Sequence, residues 1–129
     1  MEKVNLEKNL EELEEYTEKE AARELGLLER HLINIYKGEK IAFCIECVRK
    51  HLLGLSGLSG ECLEGSCRPQ KVWKDIAEWS TEAENYLEDL GKGKEITLNL
   101  AKKAREFRKI LLEEIDEMKK SSQEQEHIS

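Results

Sequence analysis

All four cysteines of this 129-residue chain fall between Cys44 and Cys67, in the run CIECVRKHLLGLSGLSGECLEGSC. Cys44, Cys47 and His51 have the spacing C-x2-C-x3-H. Each residue of a helix turns by about 100°, so Cys47 lies about 60° and His51 about 20° round from Cys44. The three side chains therefore project from one side of a helix. Cys62 and Cys67 form a second pair, C-x4-C, inside the run GECLEGSCRP. Its glycines and proline predict a loop that brings this pair back over the helix.

Four chemistries need thiols gathered in this way. A structural zinc site takes four Cys or His ligands in a closed tetrahedron. Cys44, Cys47 and one or both of Cys62 and Cys67 would hold Zn²⁺, with His51 as a substitute ligand. An iron–sulfur cluster uses the same four thiolates. Two disulfides would staple the loop to the helix, a device that is rare inside mesophile cells but common in hyperthermophiles. A CxxC near a helix N-terminus also makes a redox pair, because the dipole favours the thiolate; Cys44, Cys47 and His51 would then be catalytic. The plainest alternative is that the thiols are ordinary buried side chains. Four within 24 positions and none elsewhere argues against that for the whole set.

The run CIECVRKHL resembles a motif of small helical proteins from archaeal, phage and plasmid genomes, of the form CxxCxxKHL. Cys44, Cys47, Lys50, His51 and Leu52 match it. The spacing C-x2-C-x3-H also resembles the active-site helix of the alkyl hydroperoxidase D and carboxymuconolactone decarboxylase-like group. That resemblance implies an all-helical fold and, for the thiol peroxidase members, a proton relay through the two cysteines and the histidine. It also implies an upstream glutamate. Twelve residues before Cys44 stands Leu32, and the nearest carboxylates are Glu29 and Glu39, neither in register.

The length suits one domain with a modest core. Charged residues make up 38% of the chain and aromatics 5%, so Leu, Ile, Val and Ala must supply the core. One proline among long Glu- and Lys-rich stretches predicts helices. The same enrichment leans toward a thermophile, with the motif pointing to an archaeal source. A net charge of −7 without a basic face argues against nucleic acid. Met1 is followed at once by charges, and no apolar run approaches the ~18 residues of a membrane span. A soluble, cytoplasmic protein is expected.

Four helices must position the cysteines. Leu10, Leu13, Thr17, Ala21, Leu25, Leu28, Leu32 and Ile35 predict one continuous helix over 3–37, ended by Gly38 as its cap. A possible capping box at Thr17–Glu20 is the competing signal for a break. Ile41, Ile45, Val48, Leu52 and Leu55 predict a second helix over 40–58, flanked by Cys44, Cys47 and His51 at the core edge. Helix should fail between Leu58 and Glu61, in a glycine-rich stretch. Pro69 suits the first turn of a third helix that Gly91 ends, with Trp73 inward and Trp79 available to a partner. Residues 95–119 form the fourth helix, and 121–129 a frayed polar tail beyond a single domain of 1–120. His31 reads as a surface or half-buried side chain. The pairs Glu78–Glu82 and Glu113–Asp116 could suggest Mg²⁺ ligands, but in so acidic a chain they read as solvated faces.

The expected fold is therefore an all-α, antiparallel, up-and-down four-helix bundle with a long first helix. The overhanging apolar face of that helix calls for cover by a second copy, a homodimer. The function these residues suggest first is non-enzymatic: a structural Cys/His site of zinc or disulfide type in a protein that acts through protein contacts. The alternative is a thiol–disulfide oxidoreductase or peroxidase that uses the CxxCxxxH helix.

Overall fold

The computed structural model describes the backbone of residues 2–64, 70–90 and 92–128, and the side chains of residues 16–60, 71–90, 92–117 and 120. It is all-α. Four helices follow in order, α1 (Glu2–Tyr36), α2 (Ile41–Glu64), α3 (Gln70–Asn85) and α4 (Lys94–Ile128), with a short 3₁₀ turn at Leu87–Asp89 and no strand among the described residues. Pro69 and Gly91, expected to bound the third helix, lie outside the described residues. No helix there is long and apolar enough to cross a membrane.

The apolar rhythm of α1 does what its spacing implies. Ala21, Leu25, Leu28, Leu32 and Ile35 are all buried, and no break occurs at Thr17–Glu20. Thr17 and Glu18 are instead buried positions of one continuous helix. α1 packs most extensively on α4 and next on α2, α2 packs on α3, and the α3–α4 contact is sparse. Both α1 and α4 have 35 residues, about 52 Å at 1.5 Å per residue. The two long helices of the chain are thus equal in length.

Three expectations need correction. α2 does not fail after Leu58; it continues to Glu64. Each glycine costs a helix about 1 kcal/mol, yet this stretch has anchors on its inner side. Leu58 packs against the core, and the fully buried Ser59 donates its hydroxyl to the Leu55 carbonyl at 2.9 Å. α4 does not end near residue 119, and its backbone stays helical through the polar stretch to Ile128. No Gly or Pro interrupts that stretch, so nothing in it forces an end. Finally, Trp79 is 5% exposed and packs edge-on against Phe107, with ring centroids 5.8 Å apart. α3 is flanked by α2 and by α4, so faces about 120° apart are both covered.

The end of α3 shows how local geometry serves packing. At Tyr86 the chain tightens into the 3₁₀ turn, with the Asp89 N–H donating to the Tyr86 carbonyl at 2.9 Å. Three residues per turn superimposes Leu87 and Leu90, and both are buried. Thr97, fully buried in the first turn of α4, has its hydroxyl 2.9 Å from the carbonyls of both Leu90 and Gly93. One side chain thereby ties α4 to the turn before it.

The burial of Trp79 sets an expected outcome. Trp79→Ala should lower the free energy of unfolding by about 3–5 kcal/mol, as for a core aromatic. Urea unfolding measures this, and a loss below about 1 kcal/mol would restore Trp79 to the surface.

Candidate functional site

The site begins with the turn that launches α2. At the end of α1, the Glu39 N–H donates to the Asn34 carbonyl at 2.8 Å and the Gly38 N–H to the Ile35 carbonyl at 3.0 Å. This is the Schellman pattern, and Gly38 takes the left-handed φ of 79° that it requires. Lys40 follows at φ 46°, a conformation that costs a side-chain-bearing residue about 1–2 kcal/mol. The Lys40 carbonyl then accepts from the Cys44 N–H at 2.9 Å, and α2 is under way.

On α2 the inward stripe runs through Cys44, Val48, Leu52 and Leu55, each at most 1% exposed. Cys44 is therefore a core residue and does not flank the stripe. Cys47 and His51 lie at the edge and are half-buried. Both described cysteines are free thiols. Helix geometry puts the Cα atoms of Cys44 and Cys47 about 5 Å apart, inside the 4.4–6.8 Å window for a disulfide. Cys47 and His51, one turn apart, have Cα atoms about 6 Å apart and share a face.

α1 supplies the rest. Glu24 and His31 are seven residues apart, two turns, so they form one row beside the buried stripe. The Glu24 carboxylate receives a hydrogen bond from His51 Nδ1 at 2.5 Å, between side chains 14% and 23% exposed. With Nδ1 committed to the carboxylate, the neutral ring keeps its free lone pair on Nε2. Gly54, one turn after His51, lies beside this carboxylate, and a Cβ there would meet it at 3.7 Å, an ordinary van der Waals contact. Arg23 reaches the second Glu24 oxygen at 3.8 Å from an exposed position. The His31 ring stacks on His51 at 5.6 Å between centroids, nearly parallel, and meets the Phe43 edge at 6.4 Å. Burial holds the His31 imidazole below its ordinary value, and His51 and then Arg30 add to this by like charge. Its Nδ1 is buried without a hydrogen-bond partner, which suits a neutral ring better than a charged one.

Cys62 does not join this group by way of a loop. It belongs to α2, eighteen residues and five turns beyond Cys44, so its backbone lies about 27 Å further along the same helix. Cys67 lies outside the described residues. Among the described residues, no three His, Cys, Asp or Glu side chains are grouped so as to hold a metal ion.

Two members of the cluster were not legible in advance. Glu24 was missed because a carboxylate was sought twelve residues before Cys44 along the chain, whereas the structure delivers one from twenty before, across a helix pair. Of the surface or half-buried position expected for His31 the structure has the second, but its ring contact with His51 had no signal in the spacing. The available hint was that Glu24 and His31 share a row on α1.

The direction of the His31 shift gives a pH dependence. The unfolded chain takes up a proton near pH 6.5 and the folded ring resists it. Stability is therefore level above about pH 6.5 and falls as pH drops below it. Thermal melts between about pH 7 and about pH 5.5 should show this loss. His31→Phe keeps a ring between His51 and Phe43 but cannot titrate, so it should lose less over the same interval.

No family model, no curated protein and no solved structure matches this chain.

Proposed function

We propose that this chain is a thiol–disulfide oxidoreductase. Cys47 is the attacking thiol, Cys44 the resolving thiol, and the Glu24–His51 pair moves the proton. The observation that carries this reading is the 2.5 Å hydrogen bond from His51 to Glu24, made on the helix face that also bears Cys47. It has the form of a base held by an orienting carboxylate beside a nucleophile. The C-x2-C-x3-H resemblance calls for an upstream glutamate, and Glu24 fills that role from the neighbouring helix. The structural zinc alternative needs a donor beyond Cys44, Cys47 and His51, and α2 carries Cys62 about five turns away.

The steps balance as follows. His51 Nε2 accepts the Cys47 thiol proton, while Glu24 holds the ring through Nδ1. The Cys47 thiolate attacks one sulfur of a substrate disulfide, R–S–S–R′, and R–S⁻ leaves with the proton returned by His51. The mixed disulfide between Cys47 and R′ is then attacked by Cys44, one turn away in the core. R′–S⁻ departs and takes up the proton that Cys44 gives up, and the Cys44–Cys47 disulfide remains. The substrate disulfide is reduced to two thiols, the protein dithiol is oxidised, and an external dithiol restores it by the reverse exchange. Burial assigns the order, since of Cys44 and Cys47 the first is buried and the second half-buried.

For the arrangement of the helices, we propose the antiparallel up-and-down order. Contacts run in opposite senses along α1 and α2, with Phe43 against His31 and His51 against Glu24. They do so again along α3 and α4, where one cleft groups Trp79 with Phe107 and another groups Tyr86 with Ile96.

Reduced protein mixed with an aromatic disulfide should release two thiols per chain and form the Cys44–Cys47 bond, seen by mass after alkylation. Cys47→Ser should abolish the fast phase, and Cys44→Ser should trap the mixed disulfide. His51→Asn should slow the first step about 100-fold, the scale of a lost general base, and Glu24→Gln should slow it less. Stoichiometric zinc in the purified protein, with both thiols silent until a chelator is added, would return the site to a structural role.

A further inference from the structure

Phe43 is 63% exposed, although it stands one turn before the half-buried Cys47. Phe43, Cys47 and His51 succeed one another at steps of four, each turned by about 40°, so they form a single row along α2. The equally exposed Leu53 is six residues from Cys47 and about 120° round the helix from it. One edge of the Phe43 ring rests against His31, which stacks on His51, so the ring belongs to the wall of the site. Beside the row, Glu46 pairs with Arg49 at 3.4 Å, and Lys50 stands exposed one turn after Cys47. The apolar surface that the row itself offers a substrate next to the thiol is the Phe43 ring.

Resting on the oxidoreductase reading, we propose that Phe43 is the substrate-selecting residue. The substrate is a disulfide carried by an extended polypeptide, with an apolar side chain two residues from its cysteine. The spacing points to this occupant. Phe43 and Cys47 are four residues apart, a rise of about 6 Å along α2. In an extended chain, residues i and i+2 point the same way and lie about 6.6 Å apart. A Cys-x-apolar segment laid along α2 thus puts its sulfur at Cys47 and its apolar side chain on the Phe43 ring in one register. A helical substrate would need its apolar residue three or four positions away to match. A small hydrophilic disulfide covers the thiol and leaves the ring in water. The exchange itself is unchanged: Cys47 displaces one thiol from the peptide disulfide, Cys44 releases the peptide as a thiol, and the dithiol is oxidised.

The test uses the full chain and three disulfides: a peptide Cys-Ala-Leu whose cysteine carries an aromatic thiol, the same peptide with Ser in place of Leu, and bis(2-hydroxyethyl) disulfide. Wild type should prefer the Leu peptide over the Ser peptide by about tenfold in kcat/KM. Phe43→Ser should bring that ratio to about one, and Phe43→Leu should keep most of it. The readout is a ratio, so a general loss of rate in a variant cancels. A ratio near one in wild type, or a ratio that survives Phe43→Ser, overturns the assignment of Phe43 while leaving the oxidoreductase reading intact if the disulfides still react. If none of the three oxidises wild-type Cys44 and Cys47, the oxidoreductase reading itself fails, and this assignment with it.

Discussion

The four-residue connection between α1 and α2 fixes which residues of the two helices can meet. Glu24 lies twelve residues before Tyr36, about 18 Å from the turn, and His51 lies ten residues after Ile41, about 15 Å from it. The two side chains are level only because the turn is short and its bonds are set by Gly38. One more residue would either lengthen the turn or rotate α2 by about 100°, carrying His51 off the Glu24 row. The left-handed Lys40 is the strained part of that connection, at about 1–2 kcal/mol. A hydrogen bond to a charged group contributes about 1.5–3 kcal/mol, so the Glu24–His51 contact is of the size needed to offset it. Strain at the turn and polar pairing about three turns later along α2 are two ends of one register.

Burial then divides the chemistry of α2 between its two described thiols. Cys44 replaces an aliphatic residue in the stripe with Val48, Leu52 and Leu55, where close packing leaves no room for a reagent. Cys47 is rotated by about 60° to the edge of that stripe. Packing thus gives two cysteines three residues apart different exposure, a difference that the motif alone does not reveal. The ring column of Phe43, His31 and His51 lines the same edge, where burial first, and His51 and Arg30 after it, hold the His31 imidazole below its ordinary value.

Much of the fold was legible in the residues. The three-four rhythm of Leu25, Leu28, Leu32 and Ile35 named the buried face of α1, and Gly38 marked its end. The same reasoning placed Cys44, Cys47 and His51 on one side of α2. It erred where tertiary contacts outweigh local propensity. The stretch from Gly54 to Gly60 stays helical because Ser59 and Leu58 are anchored from the inside, and no periodic rule reports such anchors. Trp79 looked free because a single apolar stripe was assigned to α3, which in fact lies between two neighbours. Glu24 was invisible for a related reason. Its partner is 27 residues away, and a motif counted along one helix cannot register a carboxylate delivered by another.

The glycines of α2 have a consequence for how the helix opens. Gly54, Gly57 and Gly60 all fall in its second half, and among the described residues the last two have no neighbouring atoms within 4 Å of where a side chain would begin. That half has weaker intrinsic helicity than the half around Val48 and Leu52. Local opening should therefore be graded along α2, with backbone amides near Glu64 trading hydrogen with solvent long before those near Cys44. A single continuous helix behaves in this respect as two cooperative units. The far end can unzip and re-form while the end that aligns His51 with Glu24 stays closed.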